Sequence, residues 1–218
     1  MEVRQKIPAS KKIIHQAGYD PTVLSEIYSD NTNLVVWKRT INNAIITQAS
    51  TLISACPNFE LTAIVTPKNI AEHISSSIDS NIDIPDLIVD IVSIVKMFCY
   101  LFKTHQTGVR LKTLTQAMCP RFHVDNVICR LATTYYGEGT QWLDHHAVNR
   151  QKLGSGNNKK SDETSGLYKD DIDIQKDISA GDIALLKGEK WTGNLGYGLV
   201  HRSPHVKTSR LLMTLDIV

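Results

Sequence analysis

Met118-Cys119-Pro120-Arg121-Phe122-His123-Val124-Asp125 is the stretch whose reading decides the fold. In extended backbone, side chains two residues apart point to the same face, so His123 and Asp125 present an imidazole and a carboxylate together. Two such groups can grip one cation, and a third ligand is then needed. Gly198-Leu199-Val200-His201-Arg202-Ser203-Pro204 offers His201, and nine residues further on Arg210 opens the last apolar run. A shared ion therefore requires that distant segments meet inside a β structure.

The flanking sequence supports such a structure. After Gly108 helical periodicity fades, and short runs rich in β-branched and aromatic residues alternate with glycine turns. Val127 to Tyr136, Ile172 to Ile178, Ile183 to Lys187 and Arg210 to Val218 read as strands. They are punctuated by Gly137-Glu138-Gly139-Thr140 and Ala180-Gly181-Asp182. No helical pattern intervenes to make parallel crossovers, which favours a barrel or double-sheet jelly roll. Residues 154–166 hold no large apolar side chain and read as a mobile loop, either a lid or a plain surface insertion.

Upstream the pattern differs. Asn33 to Trp37 and Phe59 to Val65 are strand-like, whereas Ile41, Ala44, Ile45, Ala49, Leu52 and Ile53 recur at helical spacing. Thr66-Pro67 reads as a helix opening for Ile70, Ile74 and Ile78. The strongest periodicity runs from Leu87 to Phe102, and a short helix is expected around Thr22 to Tyr28. The reading is α+β: a mainly helical support region over 1–107, packed on a double-stranded β-helix (jelly-roll or cupin-like barrel) over 108–218.

Bulk properties narrow the function. The chain has 218 residues, 42% apolar and 21% charged, as expected for an ordinary globular protein. A net charge of +2 with scattered basic residues argues against nucleic acid as a partner. Asp90, Ser93 and Lys96 break the longest apolar stretch, so it is expected to be a core helix rather than a membrane span. The first residues lack the apolar segment of a secretory signal, so a cytoplasmic protein is expected. Cys56, Cys99, Cys119 and Cys129 are irregularly spaced and read as thiols, with Cys119 as a possible ligand.

Two histidines and one carboxylate leave coordination positions open, an arrangement that resembles the non-haem iron(II) oxygenases. In those that use 2-oxoglutarate, a His-x-Asp or His-x-Glu pair on an early strand is joined by a distant His on a late one. An arginine or lysine shortly after that His pairs with the far carboxylate of the cosubstrate. His123, Asp125, His201 and Arg210 stand in that order, with a Gly-Asp turn at Gly181-Asp182 between them. The resemblance implies Fe(II) and 2-oxoglutarate as cofactors. The plainer alternative is a structural His123 hydrogen-bonded to Asp125. A zinc reading adds Cys119 to the same three ligands and closes the site.

Other residues have readings of both kinds. Tyr136 and Thr140, beside the Gly137-x-Gly139 turn, join Arg210 as candidates for the cosubstrate pocket, as do Tyr135 and Trp142 for its walls; simple packing at a strand end is the commoner role. Arg130 reads as an anion contact or a salt bridge, and Trp191 as a pocket rim or a core residue. Arg202 and Ser203 are placed to lock the loop carrying His201. Asp144-His145-His146 is a competing ligand cluster or a solvated turn, and Pro204 favours a turn at His205. Nothing matches a Gly-x-Ser-x-Gly elbow or a phosphate-binding lysine loop.

The segments 118–125, 136–143, 185–191 and 198–204, with Arg210 to Asp216, resemble the uncharacterised bacterial family named domain of unknown function 1826. That resemblance covers most of the chain and implies no established activity; it carries an association with metal, particularly zinc, homeostasis. Three functions follow as expectations: an Fe(II), 2-oxoglutarate-type oxygenase acting on a small molecule or a protein, a non-catalytic zinc-binding protein, and a metal-free β-sandwich interaction module.

Overall fold

A computed structural model describes residues 11–169 and 175–218. The chain begins with strand β1 (Ile14–Gly18), a 3-10 helix over Pro21–Tyr28 and β2 (Thr32–Trp37). Helix α1 (Asn43–Ala55), β3 (Glu60–Val65), α2 (Ile70–Ser75) and α3 (Pro85–Leu101) follow. Then come β4 (Thr107–Leu114), β5 (Cys129–Tyr136), β6 (Gln141–Leu143) and β7 (Gln175–Asp177). The last strands are β8 (Ile183–Lys187), β9 (Val200–Arg202) and β10 (Arg210–Asp216). Residues 172–174 of the strand expected from Ile172 lie outside the described residues.

Seven strands form a major sheet in the order β1-β2-β8-β5-β10-β4-β3, and three form a minor sheet, β7-β6-β9. The helices stand where the apolar periodicity predicts, with one refinement. Asn69 Oδ1 accepts from the Thr66 amide at 2.7 Å, so Thr66-Pro67 make the turn before α2 and not its first turn. The expectation of a mainly helical N-terminal half needs correction in its architecture. Residues before 107 also supply β1, β2 and β3, and β3 pairs antiparallel with β4, so strands from both halves share one sheet. Hydrogen bonding between sequence-distant strands overrides a division drawn from periodicity.

Strand parity sorts the major sheet into two working faces. Val109, Leu111, Leu131, Tyr135, Ile183, Leu185, Leu211, Met213 and Leu215 pack against α1 and α3 in the main core. The alternate positions Leu34, Val36, Ala132, Ala184 and Leu186 meet Trp142 and Ile178 between the two sheets. Burial of both faces explains why β8 is apolar from Ile183 to Leu186 rather than alternating. Asp90, the charge that interrupts the apolar face of α3, is neutralised inside the protein. Arg39 grips it through both oxygens at 2.6 and 2.9 Å, and the Tyr135 hydroxyl donates to it at 2.8 Å.

The segment from Val148 to Tyr168 covers the outer face of the minor sheet, where Phe122, Leu143, Val148, Leu167 and Val200 form a third cluster. The loop expected at 154–166 therefore lies on that outer face, away from the space between the sheets. Its anchor is polar: buried Asp162 accepts from Arg121 Nε at 2.9 Å, the Phe122 amide at 2.9 Å and Arg202 Nη1 at 3.3 Å. No helix among the described residues is long and apolar enough to cross a membrane.

Candidate metal centre

His123 and His201 are held together by backbone. Each donates its amide to the other's carbonyl at 3.0 Å, an antiparallel bridge that sets their side chains on the same face. The ring centroids are 4.6 Å apart. Val200 and Phe122 point away into the outer cluster, so parity turns both imidazoles into the space between the sheets. Asp125 completes the group: its Oδ1 lies 3.6 Å from His123 Nε2 and its Oδ2 3.4 Å from His201 Nε2. One ligand atom from each of the three residues lies within 4.8 Å of the other two, a spacing that a single ion can bridge.

The donor set suits a cation. His123 Nδ1 lies 2.9 Å from the Arg121 carbonyl and His201 Nδ1 lies 3.2 Å from the Leu199 carbonyl. A carbonyl only accepts, so each Nδ1 carries a proton, and each Nε2 is the ring atom turned to Asp125, where it would hold a cation once free of its own proton. Burial alone would raise the Asp125 carboxyl, but hydrogen bonding from His123 and His201 and the Arg130 charge hold it well below the ordinary carboxylate range. Burial pushes His123 down, yet its contacts with Asp125 and the Arg121 carbonyl leave it raised overall.

Arg130 acts here as a clamp. Its Nε and Nη2 donate to the two oxygens of Asp216 at 2.9 and 2.8 Å, while Nη1 donates to Asp125 Oδ2 at 2.7 Å. Of the two readings of Arg130, the salt bridge is the one the geometry adopts.

These side chains line a cavity of about 140 Å³ that is also lined by Cys119, Thr140, Ser203 and Arg210. Arg210 is fully buried, yet its guanidinium meets only hydroxyls: Thr134 Oγ1 at 2.8 Å, Thr140 Oγ1 at 2.9 Å and Ser203 Oγ at 3.2 Å. Among the described residues no carboxylate hydrogen-bonds to it, and Glu138 reaches it only through space. Burial pushes Arg210 down to about 10. A buried, always-charged fork without an anion is an unsatisfied arrangement, and a bound carboxylate would complete it.

Several sequence candidates sit elsewhere. At the bulge where Leu211 pairs with Tyr136 and Leu212 with Thr134, the extra residue Tyr135 turns the strand. Tyr136 consequently faces α1 in a groove with Ile46, Thr47 and Ser50, which corrects its assignment to the cosubstrate pocket. Gly137, at φ +86°, allows this path: a Cβ there would lie 2.9 Å from the Ser209 carbonyl and 3.1 Å from Arg210 Cα. Trp191 is also no pocket rim, since it packs on Tyr28, Phe102 and Lys187 on the helix side. Trp142 backs the cavity wall from the inter-sheet core. Arg202 stacks on Phe122 at 4.3 Å and bonds Gln141 and Asp162, bracing the strand that carries His201.

Cys119 is exposed on the cavity wall, outside the three-residue ligand group. His145 stacks on Tyr197 at 5.2 Å and lies 3.2 Å from Arg150; His146 packs edge-on against it, so neither joins the centre. His205 is exposed in the turn after Pro204. Sequence reasoning missed the Asp216 partner of Arg130 and the Asp162 anchor, because both pairings bridge long stretches of chain.

Comparison with solved structures shows which folds the two packed sheets are like. The structure is similar to a dioxygenase for auxin oxidation from rice, at 10% identity and TM-score 0.51, covering 94% of this chain and 83% of that one. Similarity extends to a Pseudomonas putida prolyl-4-hydroxylase (9% identity, TM-score 0.45, 89% and 96% coverage). It also includes an oxidoreductase of the 2OG-Fe(II) oxygenase family from Burkholderia pseudomallei (7%, 0.41, 93% and 92%). The first likeness is one of fold, the double-stranded β-helix of the 2-oxoglutarate oxygenases. The chain itself belongs to the family described as "Protein of unknown function (DUF1826)", which matches residues 18–216. Among curated proteins no relative matches.

Proposed function

We propose that this chain is an iron(II)- and 2-oxoglutarate-dependent oxygenase. The observation that carries the reading is the pairing, in one cavity, of the His123, Asp125 and His201 group with a buried arginine that no carboxylate among the described residues hydrogen-bonds. His123 and His201 would hold the metal through Nε2 and Asp125 through a carboxylate oxygen, leaving other coordination positions open. Ferrous iron and the oxoacid would supply oxygen activation coupled to decarboxylation.

The protein's part is to bind, orient and exclude water. Arg210 bonds Ser203, two residues along the chain from His201, and lines the same cavity as the histidines. A dicarboxylate oxoacid would turn its oxoacid end toward the histidines and its far carboxylate toward the Arg210 fork. Thr134, Thr140 and Ser203 fix the plane of the fork. Arg130 holds Asp125 from behind, so that carboxylate enters the site already oriented.

A zinc-binding role is the second reading, favoured by Cys119 on the cavity wall. It needs that thiol to join the ligand group, whereas the iron reading does not. Convergence of the three ligands argues against a metal-free interaction module. Elemental analysis after purification separates iron from zinc, and anaerobic titration tests the site directly. Ferrous binding is expected to disappear in His123→Ala, and 2-oxoglutarate affinity to fall at least tenfold in Arg210→Met while ferrous affinity holds. Ferrous binding that His123→Ala leaves intact would refute the reading.

A further inference from the structure

We infer that the primary substrate is a small organic anion with an apolar body, held through its acid group by Arg110 at the mouth of the cavity. The inference rests on the oxygenase reading of the same cavity and adds what that reading leaves open.

The charge inventory of the cavity singles Arg110 out. Its lining contains four arginines and one carboxylate, Asp125. Arg130 is engaged by Asp125 and Asp216, and Arg202 by Asp162 and Gln141. Arg210 is enclosed by hydroxyls at the deep end, where the cosubstrate carboxylate would sit. Arg110 is exposed, and among the described residues it feels Glu60 through space, a carboxylate that is itself bonded by Lys112 at 2.5 Å. Arg110 is therefore the cavity cation left to receive an incoming anion.

Topology places it suitably. Arg110 pairs with Thr214 across β4 and β10, and Thr214 also lines the cavity. Its side chain thus rises from the cavity-facing side of the sheet, one strand spacing of roughly 4.8 Å outward from Thr214. Among the described residues the minor sheet has three strands, with His123 bridged to β9 beyond them, and β4 and β3 form the far edge of the major one. That edge leaves an open floor beside the metal group.

Apolar surface gathers around the same spot. Met118, 36% exposed, lines the cavity with Arg110, and Ile64, 59% exposed, pairs with Gly108 two residues from it. Val218, 56% exposed, reaches the space above Gly108, where an added Cβ would lie 3.2 Å from Val218 Cγ1. Leu212 and Ala132 continue the apolar wall inward. A cation bordered by exposed aliphatic side chains matches an amphipathic acid: the anion on the guanidinium, the hydrocarbon over the floor and toward the histidines.

Full-length protein loaded with Zn(II) and saturating 2-oxoglutarate provides the test, because the cosubstrate then occupies Arg210. Binding of phenylacetate, phenyl phosphate and the neutral control phenylacetamide is measured by calorimetry. At least one anion is expected to bind tenfold or more tightly than the amide, with the preference lost in Arg110→Gln and partly kept in Arg110→Lys. The tighter anion names the acid group. Equal binding of anion and amide, no binding by any probe, or a preference that survives Arg110→Gln would overturn the inference. The Arg210→Met titration reports on the oxygenase reading separately.

Discussion

Strand β10 places two different environments side by side. Leu211, Met213 and Leu215 enter the helix-covered core, while Arg210, Leu212 and Thr214 face the cavity. Each face of the sheet holds a buried cation. Lys187, on the core side, donates to the Ser29 carbonyl at 3.0 Å and lies 4.5 Å over the Trp191 ring. Arg210, on the other side, meets three hydroxyls and an open cavity. Burial is similar, but only Arg210 has room for a partner. The contrast teaches that a buried charge points to ligand chemistry when empty space adjoins it, and to structural strain when packing closes over it.

Substitutions on opposite faces should separate stability from binding. Met213 is fully buried in the core, so Met213→Ala should lower unfolding free energy by about 2–5 kcal/mol while leaving ferrous affinity nearly unchanged. Denaturant titration beside metal titration checks this, and a parallel loss of metal binding would mean that the faces are not independent.

The second contrast concerns pH. Burial lowers Lys187 from 10.5 to about 8, so between those values the unfolded state binds more protons than the folded one. This residue should therefore add stability as pH rises from about 8 to 10.5, on the order of 1–3 kcal/mol in all. Lys187→Met should flatten that rise in thermal melts; an identical slope would show the ammonium to be better solvated than its surroundings suggest.

The smallest expected effect lies behind the metal group. Asp216→Asn removes the charge that grips Arg130 through two hydrogen bonds, so the clamp on Asp125 loosens. Ferrous affinity should fall about tenfold, the magnitude usual for the partner of a metal ligand, with little change in melting temperature. Unaltered affinity would show that Arg130 alone suffices.

Much of this was legible because strands and helices leave different periodicities. The β-branched run at 33–37, the apolar run of β10 and the apolar stripe of α3 all appear where their patterns indicate. His123, Asp125, His201 and Arg210 were legible because a fixed chain order and period-two spacing survive without a structure. Local geometry hid other features. Ile14–Gly18 is too short and mixed to announce a parallel edge strand, and the bulge at Tyr135 turns Tyr136 to the opposite side from the one expected. The anchor of the 154–166 loop was hidden because a search for apolar residues overlooks a carboxylate gripped by two arginines.

The backbone bridge between His123 and His201 joins positions about eighty residues apart with a single reciprocal pair. Closing so large a ring is entropically unfavourable, and an ion shared by both histidines would act as a clasp on that closure. Occupancy of the site should then slow the opening of that closure, making resistance to proteolysis a gauge of metal supply.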